Sequence, residues 1–117
     1  MSGLAKRIYP KGRYIVRQGT HGTSAFIIER GEVEVFQMDS YGNKRVLAIL
    51  KEQDVFGEIA LMSNCLRTAN VRALEDCKVA VLTRATFQKI PANHPVRKKF
   101  RKLMAERLDE LRSVPVG

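Results

Sequence analysis

The chain has 117 residues and a formal net charge of +9, with 44% hydrophobic and 28% charged residues. This length fits one domain with a single core, and this composition is that of a globular protein rather than a disordered one. The apolar runs are too short to cross a membrane, and none follows the basic amino-terminal residues as in a signal peptide. Cys65 and Cys77 are too few for a disulfide framework or a zinc site. We expect a cytoplasmic location, which includes the cytoplasmic part of a membrane protein.

The excess positive charge lies at the two ends of the chain. Residues 1–17 contain five basic and no acidic residues, residues 93–112 contain seven basic and three acidic ones, and residues 18–92 contain nine of each. No helix-turn-helix or zinc pattern accompanies this charge, so we expect no direct binding of DNA by this chain. A solvated surface explains the excess, and contact with an acidic partner or an anionic lipid remains the alternative.

Short β-strands separated by turns fill the first two thirds of the chain. Val33 and Val35 alternate with Glu32 and Glu34, which is typical of a strand with one buried face. Further strands are predicted at Tyr14–Arg17, Ala25–Glu29, Arg45–Leu50, Asn70–Leu74 and Lys78–Leu82. Roughly eight short strands at this spacing indicate a sandwich, a roll or a barrel.

The pattern becomes helical after the last predicted strand. Thr83 can cap a short helix that runs to about Ile90, and Asn93 can cap a second helix that runs to about Ser113. The second helix carries an apolar stripe formed by Phe100, Met104, Leu108 and Leu111. Core packing, a movable lid and a dimer seam would each produce such a stripe.

The segment FGEIALMSNCLRTA, residues 56–69, places a carboxylate and a guanidinium around a glycine-led apolar turn. Gly57 lets the backbone approach a ligand closely, and the first turn of a short helix after it would offer unpaired N–H groups to a phosphate. Glu58 can accept a hydrogen bond from a sugar hydroxyl, while Arg67 presents a planar fork of donors that matches phosphate oxygens. The pattern describes a pocket for a sugar phosphate, and a surface loop is the simpler alternative.

The longer segment FGEIALMSNCLRTANVRA resembles the phosphate-binding cassette of cyclic nucleotide-binding domains. IVRQGTHGTSAFIIERGEVEVF resembles the first half of that family, and CKVAVLTRATF resembles its last strand and the start of the following helix. The likeness covers about residues 8–112 and implies one domain over residues 1–117. The implied fold is α+β, mainly β: an antiparallel β-roll (jelly roll) of about eight strands over about 8–83, a short cassette helix, and carboxy-terminal helices over about 84–113.

The resemblance also implies which residues bind the ligand, cyclic AMP or cyclic GMP, without a metal. These residues are Gly57, Glu58, Ile59, Ala60, Arg67, Thr68 and Ala69. Glu58 would accept from the ribose 2′-hydroxyl, while Arg67 and the main-chain N–H groups around Gly57 would bind the cyclic phosphate. Thr68 and Ala69 would contact the phosphate and the purine. The Thr68 hydroxyl resembles that of members that read guanine, which weakly favours cyclic GMP. Family members that prefer cyclic AMP also have this threonine.

In the family, ligand binding orders the cassette and moves the carboxy-terminal helix over the base, so the chain would be a regulatory sensor. Ala48 and Leu50 are candidate apolar walls for the base. The side chain that caps the base would come from the following residues: Leu103, Met104, Arg107, Leu108 and Leu111. An effector domain or protein of unknown type would receive the movement, and the helix would allow a homodimer.

An enzyme is not expected from this sequence. His21 lies in a glycine-rich turn and His94 at a helix start, so surface positions explain both better than a metal centre. Glu58 is the one carboxylate of the candidate pocket, and no spacing resembles that of a catalytic nucleophile with its base. The alternative function is a ligand-free scaffold or interaction domain of the same fold. Loss of Glu58 or Arg67 would favour it, and both residues are present.

Overall fold

The computed structural model describes residues 4–57, 61, 66–102 and 105. In chain order the elements are β1 (Ala5–Tyr9), β2 (Tyr14–Val16), β3 (Ser24–Arg30), β4 (Val33–Met38), β5 (Lys44–Leu50), β6 (Val55–Phe56), β7 (Asn70–Ala73), β8 (Cys77–Thr83) and α1 (Arg84–Lys89). A second helix, α2, begins at residue 95 and is described to residue 102. The chain divides into two compact units, Met1–Arg84 and Ala85–Gly117. None of the helices in the described part is long and apolar enough to cross a bilayer.

The first unit consists of two four-stranded sheets. One has the strand order β1-β8-β3-β6 and the other the order β2-β7-β4-β5, and their strand pairs are antiparallel. Among these strands, β4 and β5 are the consecutive pair that shares a sheet, and the other connections cross between sheets. This alternation makes a β-roll, so the predicted fold class is confirmed. The predicted cassette helix falls on residues that lie outside the described part, apart from residue 61.

The core of the first unit consists of apolar side chains from both sheets. Its members are Val16, Phe26, Ile28, Val33, Phe56, Val71, Ala73, Cys77, Val79 and Val81. Phe26 and Phe56 face each other on the paired strands β3 and β6, and their rings stack with centroids 5.1 Å apart. Fully burying one such side chain stabilises a fold by about 1.5–3 kcal/mol. The apolar positions of each strand therefore decide which of its faces turns inward.

Two strands have no counterpart in the sequence prediction. The β1 segment AKRIY is exposed at every position except the half-buried Tyr9, so no alternation of polar and apolar residues announces it. Its pairing with β8 forms it instead. The β6 segment has two residues, which is too short for any periodic pattern. The six predicted strands are present and differ at their ends by up to two residues, as in β4, which continues to Met38.

Helix α1 lies where the sequence predicts it, but the predicted cap of the second helix is wrong. The capping residue of α2 is His94 rather than Asn93. Its carbonyl accepts a hydrogen bond from Lys98 N at 3.1 Å, and its Nδ1 accepts one from Val96 N, also at 3.1 Å. The imidazole nitrogen thus takes the role that a hydroxyl or carboxylate oxygen usually has at this position.

The two helices contact each other through aromatic rings within the second unit. Phe87 of α1 and Phe100 of α2 are both buried, and their rings meet edge to face with centroids 5.4 Å apart. Arg97 also contacts Phe87: its guanidinium lies 4.3 Å from the ring centroid and donates to Phe87 O at 2.8 Å. Core packing therefore explains the first member of the apolar stripe. The other three members, Met104, Leu108 and Leu111, lie outside the described residues.

Candidate functional site

The structure brings together Gly57, directly after β6, and Arg67, shortly before β7. Arg67 Nη1 donates to the Gly57 carbonyl at 3.3 Å, and Nη2 donates to the Ser24 carbonyl at 2.8 Å. The Arg67 side chain is half-buried, and Ser24 is the first residue of β3. Main-chain carbonyls from two separate strand ends therefore hold the guanidinium in a defined orientation.

Glycines leave the space that this guanidinium occupies. Gly57 has a φ of +76°, and a Cβ there would lie 2.9 Å from Arg67 Nη1 and 3.1 Å from Ser24 O. Gly22 is not among the glycines with a positive φ, but a Cβ at this residue would overlap Arg67 Nη2 and lie 2.6 Å from Nε. The arginine therefore packs directly against the main chain at both residues. The GTHG stretch signals a turn in the sequence, but nothing in it points to this packing.

The main chain of Arg67 is held by the loop that follows β2. Gly19 N donates to Arg67 O at 2.8 Å, and Arg67 N donates to Thr20 O at 2.8 Å. Two successive loop residues thus lie opposite the single residue Arg67, as in a β-bulge, and the two bonds fix its main chain on both sides. The loop therefore positions the Arg67 backbone, while Ser24 and Gly57 orient its side chain.

Side-chain amides hold the main chain just beyond Arg67. Gln37 Nε2 donates to the Thr68 carbonyl at 2.9 Å. Gln18 binds both main-chain groups of Met38, accepting from Met38 N at 2.9 Å and donating to Met38 O at 3.1 Å. Asn70 Oδ1 accepts from Gln18 N at 2.9 Å, and Asn70 is buried. Nothing in the sequence signals this network, because isolated amides look like ordinary surface residues.

The structure describes some of the other predicted site residues. Thr68 is exposed and Ala69 is half-buried. Ala48 and Leu50, the predicted walls for the base, are half-buried on β5, where Leu50 packs against the core. The following predicted residues lie outside the described part of the chain: Glu58, Ile59, Ala60, Leu103, Met104, Arg107, Leu108 and Leu111.

A cavity of about 410 Å³ lies at the β4–β5 hairpin rather than at Arg67. Its lining residues are Gln18, Gln37, Met38, Asp39, Asn43, Lys44 and Arg45. Asp39 organises this hairpin by accepting hydrogen bonds from the main-chain N–H groups of Asn43 and Tyr41, both at 2.9 Å. These bonds, led by that of Asn43, lower the pKa of the Asp39 carboxyl. Gln37 lines this cavity and also donates to the Thr68 carbonyl.

The described residues contain no group of three histidine, cysteine or acidic side chains that could hold a metal ion. His21 is exposed, and His94 caps α2. Cys77 is a buried free thiol whose Sγ donates to the carbonyls of Glu32 and Glu75, both at 3.2 Å. Its burial raises the pKa of the thiol.

Comparison with known protein families identifies the family of this chain. Residues 6–94 match the family model described as the cyclic nucleotide-binding domain. This chain belongs to the cyclic nucleotide-binding domain family. The resemblance drawn from the sequence is therefore confirmed, and the chain is a regulatory domain of that family.

Three proteins are similar to this chain over most of its length. A segment of 84 residues is 39% identical to cGMP-dependent protein kinase 2 of Rattus norvegicus, covering 72% of this chain and 10% of the kinase. The crystal structure of the Thermus thermophilus catabolite activator protein has 30% identity and a TM-score of 0.83, over 92% of this chain and 51% of that protein. The regulatory domain of Toxoplasma gondii PKA with cAMP has 30% identity and a TM-score of 0.76, over 92% of this chain and 39% of that one. This chain thus spans about half or less of each relative.

Proposed function

We propose that this cyclic nucleotide-binding domain senses cyclic AMP or cyclic GMP at the site around Arg67. The ligand-binding residues of the proposal are Gly57, Glu58, Ile59, Ala60, Arg67, Thr68 and Ala69. The observation that carries it is the anchored Arg67 guanidinium, 2.8 Å from Ser24 O and 3.3 Å from Gly57 O. A cation that the protein already orients loses little further freedom when an anion binds, so more of the interaction appears as affinity.

The chemistry of the site suits one cyclic phosphate. A guanidinium matches the geometry of phosphate oxygens with parallel N–H donors, and such charge-assisted bonds are stronger than neutral ones. Gly57 is half-buried and, without a side chain, lets the Arg67 guanidinium approach the main chain, so a phosphate bound by the arginine would lie close to Gly57. Glu58 would complete the site by accepting a hydrogen bond from the ribose 2′-hydroxyl.

Both purines are compatible with the neighbouring residues. Thr68 directly follows the arginine and is exposed, so its hydroxyl can bond to the edge of a base. The kinase relative is named for cyclic GMP, whereas the PKA structure contains cyclic AMP. We therefore propose both nucleotides as ligands, with the Thr68 hydroxyl used for guanine.

The proposed output is a movement of the carboxy-terminal helix, without catalysis by this domain. A ligand shifts such an equilibrium only if it binds the two states with different affinity, so the helix must contact the nucleotide in one state alone. The edge-to-face contact of Phe87 with Phe100 would pass a shift of α2 to α1. An attached effector domain would receive the movement, and the helix could also join two copies of the chain. We propose a cytoplasmic location, which includes the cytoplasmic part of a membrane protein.

One calorimetric comparison tests the proposal. Cyclic AMP and cyclic GMP are titrated separately into the same preparation, with non-cyclic AMP as the control ligand. Binding of either cyclic nucleotide should also stabilise the fold, by about 2.7 kcal/mol at about 100 times the Kd. If neither nucleotide at millimolar concentration binds or raises the melting temperature, the sensor function is wrong and the scaffold alternative stands.

A further inference from the structure

The hydrogen-bond ladder between β4 and β7 ends shortly before the candidate site, and the next bond between the two segments comes from a side chain. The last paired residues are Phe36 and Asn70. Beyond this pair, the Thr68 carbonyl accepts its hydrogen bond from Gln37 Nε2 at 2.9 Å. A regular antiparallel ladder would use a main-chain N–H for such a bond. Because a side chain makes it here, one substitution can remove the bond without altering the main chain.

Gln37 is itself firmly placed. Its neighbour Met38 is bound at both main-chain groups by the amide of Gln18, at 2.9 and 3.1 Å, as a strand partner would bind it. Gln37 also pairs with Arg45 across the β4–β5 hairpin and is half-buried. The anchored backbone sets the reach of the Gln37 side chain, so its amide defines where the Thr68 carbonyl lies.

The bond to Thr68 acts on the residue proposed to read the base. The carbonyl of Thr68 belongs to the rigid peptide plane that joins it to Ala69, so holding this carbonyl restricts rotation next to the Thr68 side chain. Arg67 is anchored independently, through main-chain bonds to Gly19 and Thr20. Loss of the Gln37 bond should therefore disturb the Thr68 side chain and leave Arg67 in place.

We infer that Gln37 is a positioning residue for purine recognition. Its amide holds the Thr68 main chain and so sets the direction in which the Thr68 hydroxyl meets the base. This inference rests on the proposed function, in which that hydroxyl bonds to guanine and cyclic AMP does not use it. It predicts that Gln37 affects the preference between the two nucleotides rather than binding in general.

The test uses the full chain and compares two substitutions at this position. Gln37→Met keeps the length of the side chain but removes the donor, and Gln37→Asn keeps the amide but shortens its reach. Each should weaken cyclic GMP about fivefold, the equivalent of one net hydrogen bond, and cyclic AMP less than about twofold. Gln88→Met is the matched control, since Gln88 is exposed on α1, and it should change neither affinity. Affinities are measured by calorimetry, and the melting temperature of each variant confirms its fold.

A double-mutant cycle separates positioning from general destabilisation. In a Thr68→Ala background, Gln37→Met should no longer change the ratio of the two affinities, because the hydroxyl that it positions is absent. Equal losses for both nucleotides, no loss for either, or an undiminished ratio change in that background would overturn the inference while the proposed function stands. A parent chain that binds neither nucleotide would instead overturn the proposed function, and the role of Gln37 with it.

Discussion

Replacing Arg67 with alanine removes the group on which the proposed phosphate site depends. A net hydrogen bond to a charged group contributes about 1.5–3 kcal/mol. The Arg67 side chain is half-buried rather than fully buried, so we take the lower value for each of two bonds to the phosphate. The sum of about 3 kcal/mol corresponds to a loss of more than about a hundredfold in affinity for either nucleotide.

The same substitution also removes bonds that Arg67 makes within the unliganded domain. Arg67 donates to Ser24 O at 2.8 Å and to Gly57 O at 3.3 Å, and water can replace part of these bonds at a half-buried position. The loss of stability without ligand should therefore be smaller than the loss of binding energy. Calorimetry at fixed ionic strength measures the loss of binding energy. Urea denaturation without ligand measures the loss of stability.

Arg72→Ala is the matched control for this experiment. Arg72 lies on β7 and bonds Glu34 at 3.4 Å, so its removal changes the net charge by the same amount without touching the Arg67 contacts. Arg67→Lys keeps the charge but lacks the planar fork, and we expect an intermediate affinity. A folded Arg67→Ala chain that binds like the parent would refute the reasoning. So would an equal loss of affinity in Arg72→Ala, because the effect would then be one of overall charge.

Three further outcomes are expected. Gly57→Ala should lower the stability of the unliganded domain by at least about 1–2 kcal/mol in urea denaturation, because φ is +76° there. The same change at Gly42, where φ is +83° and a Cβ would meet nothing within 4 Å, should cost less, and an equal cost would show that contact with Arg67 is unimportant. Asp39→Asn should make the stability of the domain less sensitive to acid. Because the hydrogen bond from Asn43 N lowers the pKa of the Asp39 carboxyl in the folded state, the carboxylate stabilises the fold fully above its ordinary pKa of 3.8. This stabilisation is lost as the pH falls through the folded-state pKa. Identical acid unfolding profiles of the parent and Asp39→Asn would contradict this. In a Cys65→Ser background, Cys77 should react with a thiol reagent only after denaturation, and rapid labelling of the native chain would contradict its burial.

The sequence predicts best where side chains alternate or where residue chemistry is specific. The valines of β4 identify a half-buried strand because every second residue is apolar. Gly57 and Arg67 could be placed together because FGEIALMSNCLRTANVRA resembles the phosphate-binding cassette of the family, whereas their spacing alone left a surface loop open. In both cases the signal lies in residue types at fixed spacing, which the chain shows directly.

Other features depend on partners that are distant in sequence. Strand β1 exists because β8 pairs with it, although its own residues are exposed and partly charged. The bond from Gln37 to Thr68 joins residues 31 positions apart, and neither residue type requires the other. Such choices are made by tertiary packing and not by local propensity.

The surroundings of Arg67 are assembled from remote stretches of chain: the loop after β2, the start of β3 and the end of β6. No short fragment contains them all, so the arginine acquires its anchors only when both sheets have formed. Closing such long loops is slow, because chain entropy is lost before the contacts form. Nucleotide binding during refolding would consequently appear late, together with the final cooperative phase. Its onset would report when the β-roll is complete.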